Sequence, residues 1–436
     1  MSSNNMLNQL LEEFQQIKSG LNGKLELPFN QTRVEAIDNF GKLGFPTIRH
    51  EEWKYSNVKK IVGEDYNFHP KSNITKAELA PLNLPEAEGN LLYFINGVFH
   101  PELSNVIEAG KVEVMTIQEA IVAIPDFLNK YYGEITNNTD EAFTAMNTAL
   151  ANDGVVIHVP ANTTLEQPII LRMISDVREE NVGCIIRNLI VVEKNAEVKI
   201  AEAYRTLGDK KAFVNTVSEI YVDQDARVDY YKVQSESNES SHIGTTQVYQ
   251  KDKSYFYSAT VTLDGGFVRN NLNLILDGEY INSHMYGLYI PNGTQHIDNH
   301  TVVDHRKPNS ESNELYKGIL MDKANGVFNG KIFVQQVAQK TNAYQHCKNV
   351  ITSDSATMNT KPQLEIWADD VKCSHGTTTG QLNDEAIFYM QSRGIPKSEA
   401  IKMQLLAFAN DVITEIKIDS IREYLEAEIA RKLSKI

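Results

Sequence analysis

The chain has 436 residues, with 57 acidic and 42 basic side chains and a formal net charge of −15. This balance argues against a general nucleic-acid binder, which would need a basic face. No apolar run reaches the ~20 residues that a membrane helix needs, so no membrane span is expected. Three cysteines and a start, Met1–Asn5, without the features of a secretory signal predict a cytoplasmic protein in a reducing compartment.

Residues 1–150 predict an N-terminal domain of mixed helical and strand character. Apolar spacings of three and four begin at Leu7, a second helical stretch covers Thr32–Phe40, and a third covers Asp140–Leu150. Between them, Leu91–Ile95 is typical of a short strand, which ends at the turn dipeptide Asn96-Gly97.

In residues 151–375 the helical spacing ends and apolar residues follow the period-two alternation of strands, which is clearest in Tyr255–Leu263. Turn dipeptides separate the strands, and they are Asn195-Ala196, Asp225-Ala226, Asp277-Gly278, Asn325-Gly326 and Ser355-Ala356. Each is followed two positions later by an apolar side chain, and these are Val198, Val228, Tyr280, Phe328 and Met358. A long series of short strands with a loose repeat of about 25 residues predicts a β-helix core. A β-sandwich is the alternative.

Residues 376–436 return to helical spacing and predict a C-terminal helical domain. A helix over Asp384–Ser392 stops near Gly394, and the next one restarts at Pro396. Two apolar stripes follow: Ile401, Leu405, Phe408, Val412 and Ile416, then Ile418, Ile421, Leu425, Ile429, Leu433 and Ile436. Such stripes either dock onto the β core or present a surface to another protein, and the pattern leaves both open.

No catalytic signature in the sequence is complete. Gly326–Ile332 approaches a phosphate-binding loop, but it has one residue too few between its glycines and Ile where Ser or Thr should hold magnesium. His296, Asp298 and His300 form a candidate metal site, because alternation in a strand would place them on one face. A hydrogen-bonded polar ladder is the other interpretation.

Cys373 and His375 form a second candidate site, two positions apart on one side of an extended segment. A thiolate is a soft metal ligand, and the neighbouring cation of Lys372 would lower the pKa of Cys373. No Cys-x-x-Cys occurs in the sequence, so neither a zinc ribbon nor a thioredoxin-type dithiol is expected.

A further set of motifs spans nearly the whole chain. They are Gly44-Phe45-Pro46, Arg49, Glu52-Trp53-Lys54-Tyr55, Phe94–Gly97, His296–Thr301, Tyr316-Lys317-Gly318, Ala338–Gln345, Pro362–Ile366, Asp370–Gly376, Phe388–Ile395 and Ala407-Phe408. In combination they resemble the SufB/SufD family of iron–sulfur cluster assembly proteins. The amino-terminal motifs and Ala407–Val412 are similar to the SufD branch in particular.

The resemblance implies a right-handed parallel β-helix flanked by an N-terminal α/β region and C-terminal helices, in a complex with SufB and the ATPase SufC. The end of the β-helix would pair with SufB, and a transient iron–sulfur cluster would form at that interface with His375 contributing and Cys373 beside it. The helical end would dock SufC through Phe388, Tyr389, Arg393, Ile401, Leu405 and Phe408. The isolated chain could form a homodimer, and FAD is associated with such complexes, although this chain has no flavin motif.

We therefore expect a non-catalytic scaffold subunit for cluster assembly. The incomplete phosphate-binding loop fits an ATPase supplied by a partner. An all-protein [4Fe–4S] site uses about four thiolates, whereas Cys184, Cys347 and Cys373 lie at no cluster spacing, so any cluster must be transient or take ligands from a partner. The alternatives are a β-helix enzyme that acts on polysaccharides through acidic residues, and a stand-alone metalloprotein built on His296, Asp298 and His300.

Overall fold

A parallel β-solenoid forms the centre of the chain, with helices at both ends. The computed structural model describes residues 5–20, 27–82, 89–151 and 153–434. The predicted mainly β fold with a parallel β-helix core is confirmed. Ile436, assigned above to the last apolar stripe, lies outside the described residues.

The N-terminal region packs helices against the first coils and adds short strands to both sheets. Its elements are α1 (Asn5–Gly20), α2 (Pro28–Leu43), a 3-10 turn (Glu51–Trp53), α3 (Lys76–Leu79), a second 3-10 turn (Ala80–Leu82), β1 (Asn90–Ile95), β2 (Val98–Phe99), β3 (Glu113–Thr116), α4 (Ile117–Ala123), α5 (Pro125–Tyr131) and α6 (Ala142–Leu150). The predicted strand and its turn are confirmed, because Asn96 and Gly97 have φ of 51° and 81° and join β1 to β2 as a hairpin.

The solenoid strands alternate between two sheets. They are β4 (Val155–Val159), β5 (Ile169–Asp176), β6 (Val182–Val192), β7 (Glu197–Leu207), β8 (Ala212–Val222), β9 (Arg227–Ser235), β10 (Ser240–Gln250), β11 (Tyr255–Asp264), β12 (Phe267–Leu276), β13 (Asn282–Tyr289), β14 (His296–His305), β15 (Glu311–Leu320), β16 (Asn325–Val334), β17 (Asn342–Ile351), β18 (Thr357–Ile366) and β19 (Lys372–Gly380). Sheet A runs β3-β4-β6 and on through the even-numbered strands to β18, and sheet B runs β2-β1-β5 and on through the odd-numbered strands to β19.

Each coil contributes one strand to each sheet and spans about 30 residues. Val182 pairs with Ala212, and Asn342 pairs with Lys372, each 30 positions further along the chain. The predicted repeat of about 25 was too short, because each coil holds two long strands and two connections.

Asn and Asp make several of the turns between strands. Asn195 and Asp225, both in predicted turns, have φ of 57° and 58°, a left-handed conformation that these residues tolerate. Asp277-Gly278 also lies in a connection, between β12 and β13, where the left-handed residue is Tyr280. The turn predicted at Asn325-Gly326 was displaced, because Asn325 begins β16 and the left-handed residue before it is Asp322. Tyr280, the apolar residue that follows Asp277-Gly278, is 59% exposed because it forms the turn itself.

The interior of the solenoid is apolar along its margins and polar along its middle. Phe256, Leu274 and Phe328 belong to the apolar core. Polar side chains buried at central inward positions include Asn188, Glu202, Lys232, Thr246, Thr262, Glu314 and Gln345. Many of these groups bond to one another, as buried polar groups generally must.

The C-terminal helices α7 (Asp384–Ser392), α8 (Lys397–Ile413) and α9 (Asp419–Leu433) follow the last strand, and α8 and α9 pack on the outer face of sheet B. Their apolar stripes share a buried cluster with Tyr257 and Val261 of β11, so they dock onto the β core, as one of the two interpretations held. Lys317 of β15, which is 3% exposed, holds α8 in place. Its ammonium donates to the Phe408 carbonyl at 2.9 Å and pairs with the Asp411 carboxylate.

Candidate functional site

The last coil of the solenoid has two free edges. Sheet A ends at β18 and sheet B ends at β19, and in the described part of the chain no strand covers either one. Ile366 and Trp367, where β18 ends, are 39% and 51% exposed. Unpaired strand edges beside exposed apolar side chains form a surface to which another strand can add.

Cys373 and His375 lie on the inward face of β19, where the interior opens at this end. Cys373 is in register with Ala343, and His375 is in register with Gln345. Both of these β17 residues are fully buried, so the alternation of β19 directs the two candidate side chains toward the same interior. Cys373 is half-buried against the apolar core, whereas His375 is exposed.

The thiol of Cys373 is not activated by its neighbours. Burial raises its pKa, and the opposing hydrogen bond from the Ala343 backbone does not offset this. The prediction that Lys372 lowers this pKa was wrong, because alternation places Lys372 on the opposite face of β19. A metal or a partner's cation close to the sulfur would favour its thiolate form.

The other two cysteines are buried. Burial raises the pKa of Cys184 to about 12 and that of Cys347 to about 11. The Cys347 sulfur lies 3.4 Å from Nδ2 of Asn349 and 3.9 Å from the hydroxyl of Tyr289, inside the solenoid. Cys373 is therefore the one accessible thiol of the three in the sequence.

His296, Asp298 and His300 lie together on the outer face of sheet A. His300 Nε2 is 2.9 Å from Asp298 Oδ1. Asp298 Oδ2 also accepts from Arg269 Nη1 at 2.9 Å and from the Ser56 hydroxyl at 2.5 Å. Burial raises the pKa of Asp298, but the charges of His300 and Arg269 outweigh it and hold this pKa far below its usual range. The carboxylate is therefore already paired.

The segment 44–55, here called the strap, covers this network. Glu52 of the strap pairs with Lys331 at 2.5 Å and lies 3.5 Å from His300 Nδ1, and the hydrogen bond from His300 lowers the pKa of Glu52 to about 2. The Arg269 guanidinium lies 3.9 Å from the ring centre of Trp53. Among the described residues, no group of three or more His, Cys, Asp or Glu side chains is placed to hold a metal ion. The geometry favours the polar network over the metal site.

The residues that the family resemblance assigns to docking separate into exposed and buried groups. Phe388 and Tyr389 on α7 are 72% and 60% exposed, and Arg393 lies over the Tyr389 ring at 5.3 Å. Ile401 and Phe408 are half-buried against sheet B. Leu405 is fully buried, so its side chain holds α8 in place and offers no surface to a partner.

Sequence-based prediction did not identify Glu314, a carboxyl buried in the interior. Its Oε2 accepts from the Thr301 hydroxyl at 2.8 Å and from Gln345 Nε2 at 3.1 Å. Burial raises the pKa of Glu314 to about 7. A signal was present in the sequence, since alternation from Ser312 to Tyr316 puts an acidic residue at an inward position of a strand.

Comparison with known proteins covers almost the whole chain. Residues 175–408 match the model of the SUF system FeS cluster assembly SufBD core domain, and residues 4–171 match that of the SufBD protein N-terminal region. A SufBD family iron–sulfur cluster assembly protein of Synechocystis is 35% identical over 89% of this chain and 88% of its own length. The iron–sulfur cluster assembly protein SufD of Escherichia coli is 29% identical over 90% of both chains, and SufD of Bacillus subtilis is 28% identical over 92% of this chain and 93% of its own.

In the described ranges, no helix is both long and apolar enough to cross a membrane. The two matched ranges contain every candidate residue described above. The chain belongs to the SufBD family of SUF iron–sulfur cluster assembly proteins and is SufD-like.

Proposed function

We propose that this chain is the non-catalytic SufD-like scaffold subunit of a SUF complex. It pairs with SufB through the last coil of its solenoid, binds the ATPase SufC through its helical end, and contributes His375 to a transient iron–sulfur cluster at the SufB interface. Cys373 lies beside that position. We expect the complex in the cytoplasm, where a reducing environment keeps cysteine side chains as free thiols.

The open last coil is the observation that carries this proposal. It places a partly accessible thiol and an exposed imidazole at the mouth of the interior, beside two unpaired strand edges. A second solenoid that adds to those edges would bring its own side chains against His375. Without SufB, a second copy of this chain could occupy the same edges, which would give a homodimer.

The number of accessible thiols supports a cluster site that this chain shares with a partner. One accessible thiol falls short of the roughly four thiolates that hold an all-protein [4Fe–4S] cluster. The remaining ligands would come from SufB, and ATP hydrolysis would come from SufC. We assign no residue of this chain to FAD, which stays a property expected of the assembled complex.

SufC docking is assigned to the exposed face of α7. Phe388 and Tyr389 are large apolar side chains that remain in solvent while the neighbouring Ile387 is buried. Aromatic side chains of this kind are typical anchors at protein interfaces. Arg393, stacked on Tyr389, adds a cation at the same place.

The experiment that tests the SufB pairing changes one edge residue. The backbone N–H of Lys372 points toward β17 and donates to the carbonyl of Thr341, the residue before that strand. Alternate N–H groups of β19, including that of Thr377, therefore point to the free edge. Thr377→Pro removes that donor, whereas Thr377→Val keeps it with a similar shape. Loss of one hydrogen bond should lower the amount of SufB that co-purifies with Thr377→Pro by about fivefold. The amount that co-purifies with Thr377→Val should stay unchanged. Equal recovery of SufB with both variants would refute pairing through β19.

A further inference from the structure

A column of inward-facing side chains leads through the solenoid to His375. Glu314 of β15 is in register with Gln345 of β17, which is in register with His375 of β19. Neighbouring strands lie about 4.8 Å apart, so each of these side chains is within reach of the next. Glu314 and Gln345 are 2% and 0% exposed, and His375 stands in the opening above them.

Glu314 orients the side-chain amide of Gln345. Its Nε2 donates to Glu314 Oε2 at 3.1 Å, and the same oxygen accepts from the Thr301 hydroxyl at 2.8 Å. An amide carries its donor and acceptor on separate branches, so a donor held by Glu314 leaves the oxygen free to point elsewhere. Gln345 Oε1 is buried and has no hydrogen-bond partner among the described residues. Such an orphaned acceptor is costly unless a donor reaches it.

Gly330 of β16 makes room for this arrangement. A Cβ at this position would lie 2.3 Å from Gln345 Nε2 and 2.7 Å from its Cδ. Any side chain larger than hydrogen would therefore displace the amide from its place against Glu314. Gly330 of β16 thus provides the space for the Gln345 amide, and Glu314 of β15 provides the acceptor that orients it.

We propose that Glu314 and Gln345 are positioning residues for His375. The His375 ring is exposed and makes no hydrogen bond to Gln345 Oε1 in the single chain. When the ring turns inward, the N–H of one ring nitrogen donates to this oxygen, which fixes the ring and its tautomer and leaves the lone pair of the other nitrogen directed to the SufB side. The ligand class that this arrangement suits is iron, free or in a nascent cluster, because histidines that bind metals generally donate their second ring N–H to a fixed acceptor. This inference rests on the proposed role of His375.

The test reads the tautomer directly in the full-length chain. Ring nitrogens of ¹⁵N-labelled histidine are recorded at about pH 9, where imidazoles are neutral, and His375→Ala identifies the signals of His375. Wild type should show one dominant tautomer. Gln345→Met and Glu314→Leu should each change the tautomer ratio by about fivefold, because each removes the effect of one hydrogen bond. Glu314→Gln keeps an acceptor oxygen and should preserve the ratio.

The matched control is Gln234→Met, which removes another fully buried glutamine of the interior that bonds to Thr262 and Asn270. It should leave the tautomer of His375 unchanged. Two tautomers in wild type, or an unchanged ratio in Gln345→Met, would overturn the proposal. If Gln345→Met does not fold, Gly330→Ala makes the same test by displacing the amide, with the same two outcomes. Normal iron loading of a His375→Ala complex would instead refute the proposed function and leave the tautomer result standing.

Discussion

His375 lies one coil beyond Gln345, in register with it across β17 and β19, at the point where the solenoid interior opens. Gln345 is fully buried and His375 is exposed, so the imidazole has a fixed protein environment on one side and an open surface on the other. In the proposed assembly site, this chain supplies one side of the imidazole's surroundings and SufB supplies the other.

Replacing Glu314 should change how the stability of the chain depends on pH. Burial raises the pKa of Glu314 from its ordinary 4.5 to about 7, and its hydrogen bonds come from neutral groups. Between these two values the folded chain binds more protons than the unfolded chain, so its stability falls as the pH rises through this window. The group stabilises the fold fully below pH 4.5, and about 3 kcal/mol at most is lost by pH 8.

Urea denaturation of wild type and Glu314→Gln at several pH values between 4.5 and 8 measures this difference. The variant should lose less stability than wild type as the pH rises. The nearby titratable groups, Tyr316 and Cys347, do not confuse the comparison, because burial raises the pKa of both, that of Cys347 to about 11. Parallel curves for the two proteins would show that Glu314 does not titrate in this range.

Different residues of the C-terminal helices should control the stability of the chain and the binding of SufC. Leu405→Ala removes a fully buried side chain between α8 and sheet B and should destabilise the chain by about 2–5 kcal/mol. Phe388→Asp changes a side chain that is 72% exposed, so it should leave thermal unfolding nearly unchanged and weaken capture of SufC.

The control for Phe388→Asp is Val122→Asp, which introduces the same charge at a 77% exposed apolar position on α4. It should leave SufC capture intact. Equal capture by wild type and Phe388→Asp would remove the assignment of α7 to SufC.

The Asp298 network should stabilise the strap without any metal. Asp298→Ala leaves the Arg269 guanidinium, which is 3% exposed, without its carboxylate and should cost about 3–5 kcal/mol. Adding a chelator should not shift the melting temperature of the isolated wild-type chain. A stoichiometric metal that is lost in His300→Ala would contradict this and restore the metal interpretation.

The solenoid was predictable because its signals are repeated in every coil. Alternation and Asx turns recur along the chain, so the misplaced turn at Asn325 did not affect the fold assignment. The direction of each face was harder to predict, since the apolar face of Tyr255–Leu263 points outward to α8 and α9. A sequence with an apolar stripe on its helices and an apolar face on its strands contains both halves of that contact, but it does not show that they meet.

The candidate site was predictable only in part. Cys373 and His375 were found from their motif, and alternation correctly put them on one face. Their relation to Glu314 and Gln345 depends on the register between coils, which the irregular repeat does not reveal. The partners of Asp298 were missed for the same reason, because Arg269 lies one coil away and Ser56 belongs to a segment more than 200 residues distant.

Iron loading and cluster yield of the complex reconstituted with SufB and SufC test the central claim most directly. His375→Ala is compared with His346→Ala, which removes an exposed imidazole from the opposite face of the neighbouring strand β17. We predict that the His375→Ala complex assembles but loses most of its iron and its cluster. The His346→Ala complex should keep the wild-type iron content and cluster yield. Wild-type iron content and cluster yield in the assembled His375→Ala complex would contradict it.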